Sequence, residues 1–122
     1  MQPLTLRAFD RAQKRILIIN GYELTKDNQV KVFGTHYDRF YKTDDVVILR
    51  NSGVKDAQGE DLFECDVVYD QRNECIGTVA FKNGAFILEG KLKVITDWPP
   101  STFLKRLDNF LVNPLALEAV VH

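Results

Sequence analysis

Turn-forming residues recur about every ten residues along this chain, and the runs between them are short and rich in β-branched and aromatic side chains. Such spacing is typical of all-β barrels and sandwiches, because each short strand must be followed by a reversal of the chain. The 122 residues fit one domain, which at this size buries roughly two-thirds of its unfolded surface and needs no disulfide or metal. The sequence therefore predicts a single, mainly β domain over residues 1–122.

Strands are predicted wherever apolar residues alternate or run continuously between turn signals. These segments are residues 4–9, 15–19, 30–33, 46–49, 67–69, 75–81, 85–89 and 92–95. The clearest hairpin signal is Lys-Asn-Gly at residues 82–84, and Asn20-Gly21 also suits a type I′ turn. Residues 23–29 are polar and predict a loop, whereas residues 36–41 give no clear assignment.

The segment after Trp98-Pro99-Pro100 has a helical interpretation. Ser101 could cap a helix that ends before Asn113-Pro114, since the residue before a proline is pushed out of the α region. Four apolar residues then follow at helical spacing: Leu104, Leu107, Phe110 and Leu111. The alternative, a strand, comes from the family comparison below.

The stretch GVKDAQGEDLFECDVV, residues 53–68, places two glycines and five carboxylates ahead of a Val-Val pair. An EF-hand loop counted from Asp56 fails, because its sixth position must be glycine and is Asp61 here. No GK[ST] follows, which argues against a phosphate loop. Gly53 and Gly59 can take positive φ, and Asp56 can accept hydrogen bonds from nearby backbone N–H groups. The stretch therefore predicts a turn that leads into a strand.

The same region resembles a motif of the YopX family of phage proteins. The family motif TGLKDKNGxxIYEGDIV corresponds to SGVKDAQGEDLFECDVV at residues 52–68. Near the start, LRAFDRAQKRI at residues 6–16 is similar to FRAWDKxxKKM, and near the end LDNFLVNPLAL at residues 107–117 is similar to IGNIYENPEL. Between them, the pattern G.V.F.dGaF.l is matched by Gly77, Val79, Phe81, Gly84, Ala85, Phe86 and Leu88. The four motifs occur in the family's order and cover nearly the whole chain.

The resemblance implies an SH3-like β-barrel formed by the strands from about Val46 onward, with an N-terminal strand and hairpin packed onto it and little helix. It also implies an extended tail near residues 107–111, against the helical spacing. We favour a strand before Asn113-Pro114, with room for a short helical turn at residues 101–105. The chain departs from the family at Cys65 and Asp108, where the family has glycine, so other residues can occupy the position of Cys65. The motif residues are expected to be structural: Asp10, Gly53, Lys55, Asp56, Gly59, Asp66, Gly77, Gly84, Asn109 and Pro114.

Composition argues against several classes of protein. The 16 basic and 17 acidic residues nearly cancel, to a net charge of −1, and so lack the basic excess usual in proteins that grip duplex DNA. Two cysteines, Cys65 and Cys75, are too few for a disulfide framework and favour a reducing, cytoplasmic setting. The start, MQPLTLRAFD, has no apolar stretch of signal-peptide length, and no segment approaches a membrane span. We therefore expect no membrane association.

Few residues could support catalysis. The histidines are His36 and His122, and a Cys-His pair would need a cysteine beside His36. Both cysteines lie in β-rich runs, where thiols are usually buried and inert. No CxxC or HxxxH spacing is available for zinc. The sequence therefore predicts neither an enzyme nor a cofactor or metal site.

The segment FGTHYDRFYK, residues 33–42, interleaves aromatic and basic residues. Tyrosine beside arginine is a mixture enriched at protein interfaces, so Tyr37, Arg39, Phe40 and Tyr41 form the candidate interaction surface. We expect a non-enzymatic module that binds a host or phage protein, with a homo-oligomer left open. The alternative is single-stranded nucleic-acid binding by base stacking, which the net charge disfavours. The family resemblance implies a phage or prophage accessory protein in the cytoplasm of a host bacterial cell.

Overall fold

The structure, a computed structural model, describes residues 5–118 and is mainly β, with a curled half-barrel sheet. The mainly β prediction is confirmed. The strands are β1 (Leu6–Asp10), β2 (Arg15–Ile19), β3 (Gly21–Leu24), β4 (Gln29–Phe33), β5 (Asp38–Lys42), β6 (Val46–Lys55), β7 (Asp61–Phe63), β8 (Asp66–Asp70), β9 (Cys75–Lys82), β10 (Ala85–Gly90), β11 (Val94–Ile95) and β12 (Leu104–Asn109). Helical segments among residues 5–118 are short 3₁₀ turns at Thr43–Asp45, Ser101–Phe103 and Pro114–Glu118.

The chain divides into two compact units, and the boundary between them in the sequence lies between Arg50 and Asn51. The expectation of a single SH3-like barrel domain stays a prediction.

The first unit encloses a core between two small sheets. Strand β1 pairs antiparallel with β2 on one side and with the first half of β6 on the other. Strands β3, β4 and β5 form a separate antiparallel sheet in that order. Alternate residues of both sheets meet in the core, as expected of strands with one buried face. Its fully buried members are Ala8, Ile19, Val30, Val32 and Val46.

One prediction in the first unit is wrong, and another is right only for the middle of its segment. Asn20-Gly21 does not form a type I′ turn, since neither residue has positive φ. Gly21 instead begins β3, and the N–H of Asn20 donates to the carbonyl of Phe33 at 2.7 Å. The predicted polar loop at residues 23–29 is confirmed at residues 25–28, whereas residues 23–24 end β3 and residue 29 begins β4. The unassigned residues 36–41 contribute most of β5, because pairing with β4 makes them extended.

The second unit is built on a five-stranded antiparallel sheet in the order β11-β10-β9-β8-β12. The second half of β6 pairs with β7 across an irregularity between Asn51 and Lys55. Its core is a cluster of buried apolar residues contributed by several strands. They are Leu62, Val68, Cys75, Val79, Leu88, Ile95 and Leu104.

The tail contains a strand, so the helical interpretation of residues 101–111 is wrong. The strand that the family resemblance implies near residues 107–111 is confirmed at residues 107–109, whereas residues 110–111 lie in a turn. Ser101–Phe103 makes one 3₁₀ turn, and β12 then pairs antiparallel with β8 from Leu104 opposite Asp70 to Asn109 opposite Asp66. The apolar residues of the tail have helical spacing although they form a strand, because Leu107 lies beside a shift of register between Arg106 and Asp108. A shift of that kind breaks the two-residue alternation by which a strand is recognised.

The hairpin predicted at residues 82–84 is confirmed. Lys82 pairs with Ala85, and the two loop residues, Asn83 and Gly84, have φ of +54° and +83°. Positive φ at both loop residues is the requirement of a type I′ turn, which fits the right-handed twist of the flanking strands.

Candidate functional site

The turn at residues 56–60 is organised by the carboxylate of Asp56. Its Oδ1 accepts hydrogen bonds from the backbone N–H groups of Gln58 and Glu60 at 2.9 and 3.0 Å, and its Oδ2 accepts from the N–H of Arg106 at 3.4 Å. The side chain is buried, so these donors compensate the loss of hydration. Asp56 thus ties the turn to β12, which is a structural task.

Gly53, Lys55 and Gly59 complete the geometry of this stretch. Both glycines have φ of +82°, with open space where a Cβ would lie, so backbone conformation and not crowding favours glycine there. The predicted positive φ of Gly59 is confirmed. Lys55 Nζ lies 2.7 Å from a carboxylate oxygen of Asp61 at the surface.

Asp66 is the centre of a buried polar cluster. Its carboxylate accepts hydrogen bonds from the N–H of Phe63 at 2.8 Å and from Nδ2 of Asn109 at 3.0 Å, and it lies 3.2 Å from Nε of Arg106. Burial raises the pKa of Asp66, and these donors oppose the rise. Asn109 also donates to the carbonyl of Glu64 and accepts from the N–H of Leu111. The two motif residues therefore join β8 to β12.

Cys65 stands at a left-handed position, with φ of +69°. A glycine, as in the family motif, would meet no steric penalty there, so the position does favour glycine although cysteine occupies it. Burial raises the pKa of both Cys65 and Cys75, which favours the protonated thiol over the nucleophilic thiolate.

The contacts of the remaining motif residues also indicate structural roles. Asp10 is buried and accepts from the N–H of Gln13 and the hydroxyl of Tyr41, both at 3.0 Å. A Cβ on Gly77 would lie 2.9 Å from the backbone of Glu89 in the paired strand. Gly84 belongs to the type I′ turn, and Pro114 begins the last 3₁₀ segment.

A cavity of about 370 Å³ lies beside the Asp56 turn. Its lining includes Asp56, Tyr69, Phe103 and Lys105. Both carboxylate oxygens of Asp56 are already engaged by backbone N–H groups. Throughout the described residues, every buried side-chain nitrogen or oxygen atom has a hydrogen-bond partner. Beside this cavity, the carboxylate of Asp56 is therefore held in place by hydrogen bonds from the chain itself.

Among residues 5–118, no group of histidine, cysteine and acidic side chains is arranged to hold a metal ion. His36 is exposed in the loop before β5, and His122 lies outside the described residues. In the same described part of the chain, no helix has the length and apolar character needed to cross a membrane.

The aromatic segment places its candidate residues on two faces of one strand. Successive residues of β5 point to opposite sides, and Tyr41 opposes Val30 while Phe40 opposes Lys31. Arg39 and Tyr41 therefore share the face of the core valines, and Phe40 lies on the other face. The four candidate residues do not form one continuous patch.

Both tyrosines are anchored by hydrogen bonds. Tyr41 packs against the first core and donates to Asp10, and its pKa is raised mainly by burial. Tyr37 is half-buried and donates to the carbonyl of Ile18 at 2.6 Å, with the guanidinium of Arg39 5.8 Å from its ring centroid. These rings position β5 and leave little aromatic surface free.

Phe40 is the aromatic residue that β5 exposes to solvent, with a relative accessibility of 61% for the residue. Lys31 Nζ lies 5.9 Å from its ring centroid and 3.7 Å from the carboxylate of Asp38. Asp38 and Lys42 are exposed on the same face, two residues on either side of Phe40. Sequence reasoning missed Lys31 and Asp38 because their place beside Phe40 depends on the pairing of β4 with β5. We call Lys31, Asp38, Phe40 and Lys42 the β5 surface.

Comparison with known proteins relates the whole fold to one family. The family model described as "YopX protein" matches residues 5–109. The crystal structure of protein yopX from Bacillus subtilis is 13% identical, with a TM-score of 0.60 over 90% of this chain and 94% of that one. Protein EF1440 from Enterococcus faecalis is 19% identical, with a TM-score of 0.61 over 96% of this chain and 99% of that one. Among curated proteins, none matches the chain.

Proposed function

The chain belongs to the YopX family, and from that premise we propose that it is a non-enzymatic protein-binding module. Its setting in this proposal is the cytoplasm of a bacterial cell, where it serves as an accessory protein of a phage or prophage. The partner is a host or phage protein that contacts the β5 surface.

The exposure of Phe40 is the observation that carries the proposal. A phenylalanine left 61% exposed in the middle of a strand loses the stabilisation that burial would provide, about 1.5–3 kcal/mol for a whole side chain. Charged neighbours of both signs, Lys31, Asp38 and Lys42, surround it. An apolar centre with a charged rim is the usual anatomy of a protein interface.

The engagement of the buried carboxylates supports a non-enzymatic role. Asp10, Asp56 and Asp66 each accept at least two hydrogen bonds from groups of the chain itself. Carboxylates held in this way fix turns and strand ends, whereas a general base must reach a substrate.

Affinity capture from a host bacterial lysate tests the proposal. Phe40→Ala should reduce recovery of a specific partner at least about tenfold, as expected when an aromatic anchor is removed. Leu92→Ala is the matched control, because Leu92 is 98% exposed and lies away from β5 in sequence. A partner recovered equally with both variants would contradict the proposal. So would a β5 surface that binds no specific protein at all, a second copy of this chain included.

Single-stranded nucleic-acid binding is the second candidate, favoured by the cations beside aromatic rings at Lys31–Phe40 and Arg39–Tyr37. Fluorescence anisotropy with labelled single-stranded DNA at low and moderate salt distinguishes the two. Tight binding that weakens with salt and is lost in Phe40→Ala would favour this candidate. Under our proposal no such binding occurs.

A further inference from the structure

Strand β5 lies at the edge of its sheet. Within residues 5–118 its strand partner is β4 alone, in the order β3-β4-β5. One row of its backbone N–H and C=O groups therefore lacks a strand partner, and such a row is a template for pairing with another strand. The side chains of Asp38, Arg39, Phe40 and Lys42 are exposed, so a second strand can approach this edge.

The sequence of β5, Asp-Arg-Phe-Tyr-Lys, is complementary to itself when reversed. In an antiparallel pair centred on Phe40, each Asp38 lies opposite the Lys42 of the other copy. Arg39 then lies opposite Tyr41, and the two phenylalanines face each other. Opposite charges and aromatic pairs are the cross-strand combinations that stabilise a sheet, and in this register no like charges meet.

The neighbouring registers are worse. A shift of two residues in one direction places Arg39 opposite Arg39 and Asp38 opposite Phe40. The same shift in the other direction places Lys42 opposite Phe40 and removes both acid–base pairs. Charge therefore selects the register in which Phe40 meets its own copy.

We infer that the partner of β5 is a second copy of this chain, whose β5 pairs antiparallel with it about a two-fold axis through Phe40. The two three-stranded sheets become one sheet of six strands. On one face, the two phenylalanines lie between two Asp38–Lys42 pairs, and on the other each Arg39 lies beside a Tyr41. This contact is isologous, as closed dimers require. The inference rests on the proposed function, because it names the protein that the β5 surface binds.

Charge reversal with rescue tests the pairing, with mass measured by sedimentation velocity over a range of concentrations. The wild-type chain should reach twice the mass of one chain. Lys42→Asp places acids opposite Asp38 at two symmetric sites and should weaken the dimer at least about tenfold. Asp38→Lys should weaken it similarly, whereas Asp38→Lys combined with Lys42→Asp restores complementarity and should return the dimer to within about threefold of wild type.

Lys26→Asp is the control, because it makes the same charge change at an exposed turn between β3 and β4 and should leave the dimer unchanged. Hydrogen exchange of the wild-type chain gives a second readout that needs no variant: the amides of β5 should exchange more slowly at dimer-forming concentrations. The inference is overturned if the single charge reversals leave the affinity of the dimer unchanged. It is also overturned if the double variant does not restore that affinity.

The same measurements separate this inference from the proposed function. A wild-type chain that stays monomeric while its capture of another protein depends on Phe40 overturns the self-pairing and leaves the proposed function standing. A monomeric chain with no Phe40-dependent partner overturns both.

Discussion

At the scale of single residues, backbone conformation accounts for the turns. Eight described residues have positive φ, and three of them are glycines. The other five, Lys14, Asn28, Cys65, Glu74 and Asn83, show that tight turns here tolerate side chains in the left-handed region. Each such residue costs about 1–2 kcal/mol relative to an unstrained conformation, so these turns hold because pairing of the flanking strands outweighs the strain.

Gly59 provides a test of this account. Gly59→Val should lower the free energy of unfolding by about 1–3 kcal/mol, since a β-branched residue is strained at φ of +82°. Gly59→Asn, the matched control, should cost less than about 1 kcal/mol because asparagine visits the left-handed region. Urea unfolding of both variants measures the difference. Equal losses would mean that crowding, and not φ, decides the position.

Asp10 provides a test that depends on pH. The hydrogen bond from the N–H of Gln13 is the main reason that the pKa of Asp10 lies below its ordinary value of 3.8. A lowered folded pKa gives stability that is present above pH 3.8 and is lost as the pH falls through the folded pKa. Asp10→Asn should therefore be less stable than wild type at pH 7, by about 1 kcal/mol.

The difference between Asp10→Asn and wild type should shrink in urea unfolding below about pH 3.8. Asp27→Asn, at an exposed turn position, should match wild type at pH 7. A stability difference for Asp10→Asn that stays constant from pH 7 to strongly acidic pH would show that the charge of Asp10 does not matter.

At the scale of elements, two hairpins use the same turn. In β1–β2 and β8–β9, four residues separate a paired aspartate from the returning strand, Asp10 opposite Arg15 and Asp70 opposite Cys75. Each aspartate accepts a hydrogen bond from the backbone N–H three residues later. The residue after that donor, Lys14 or Glu74, has positive φ. The sequence does not show that the two turns are alike, because the aspartate is the only residue that they share at equivalent positions.

Gly77 tests how closely β9 and β10 must approach. It pairs with Gly90, and a Cβ on Gly77 would lie 2.9 Å from backbone and side-chain atoms of β10. Gly77→Ala should therefore destabilise the fold by about 1–3 kcal/mol through overpacking. Thr78→Ala, at the next position of the same strand, should cost less than about 1 kcal/mol. Thermal unfolding compares them, and a smaller loss for Gly77→Ala would argue against the close approach.

At the scale of the whole molecule, stability comes from two apolar cores, one in each compact unit. Cys65 and Cys75 are free thiols, and Cys75 belongs to the second core as an apolar side chain. The unfolding temperature should therefore agree within about 2 °C with and without reductant, and with and without chelator. A larger fall with either additive would mean that a disulfide or a metal contributes to stability.

Elements with local causes could be predicted from the residues that form them. The type I′ hairpin at Asn83-Gly84 and the positive φ of Gly59 were predictable because a turn depends on the residues within it. The strands at residues 15–19 and 75–81 were predictable because alternating or continuous apolar runs between turns have few other solutions. The family motifs predicted both the membership of the YopX family and the strand in the tail.

Which residues share a face of a sheet depends on how strands that are distant in sequence pair with each other. The register of β5 against β4 turns Phe40 outward and Tyr41 towards the core, and a slip of one residue would reverse that assignment. Asn20-Gly21 became the start of a strand because the N–H of Asn20 finds the carbonyl of Phe33, thirteen residues later. Pairings between distant segments are not encoded in local propensity, so the split of the aromatic segment into anchored tyrosines and an exposed phenylalanine could not be predicted from the sequence.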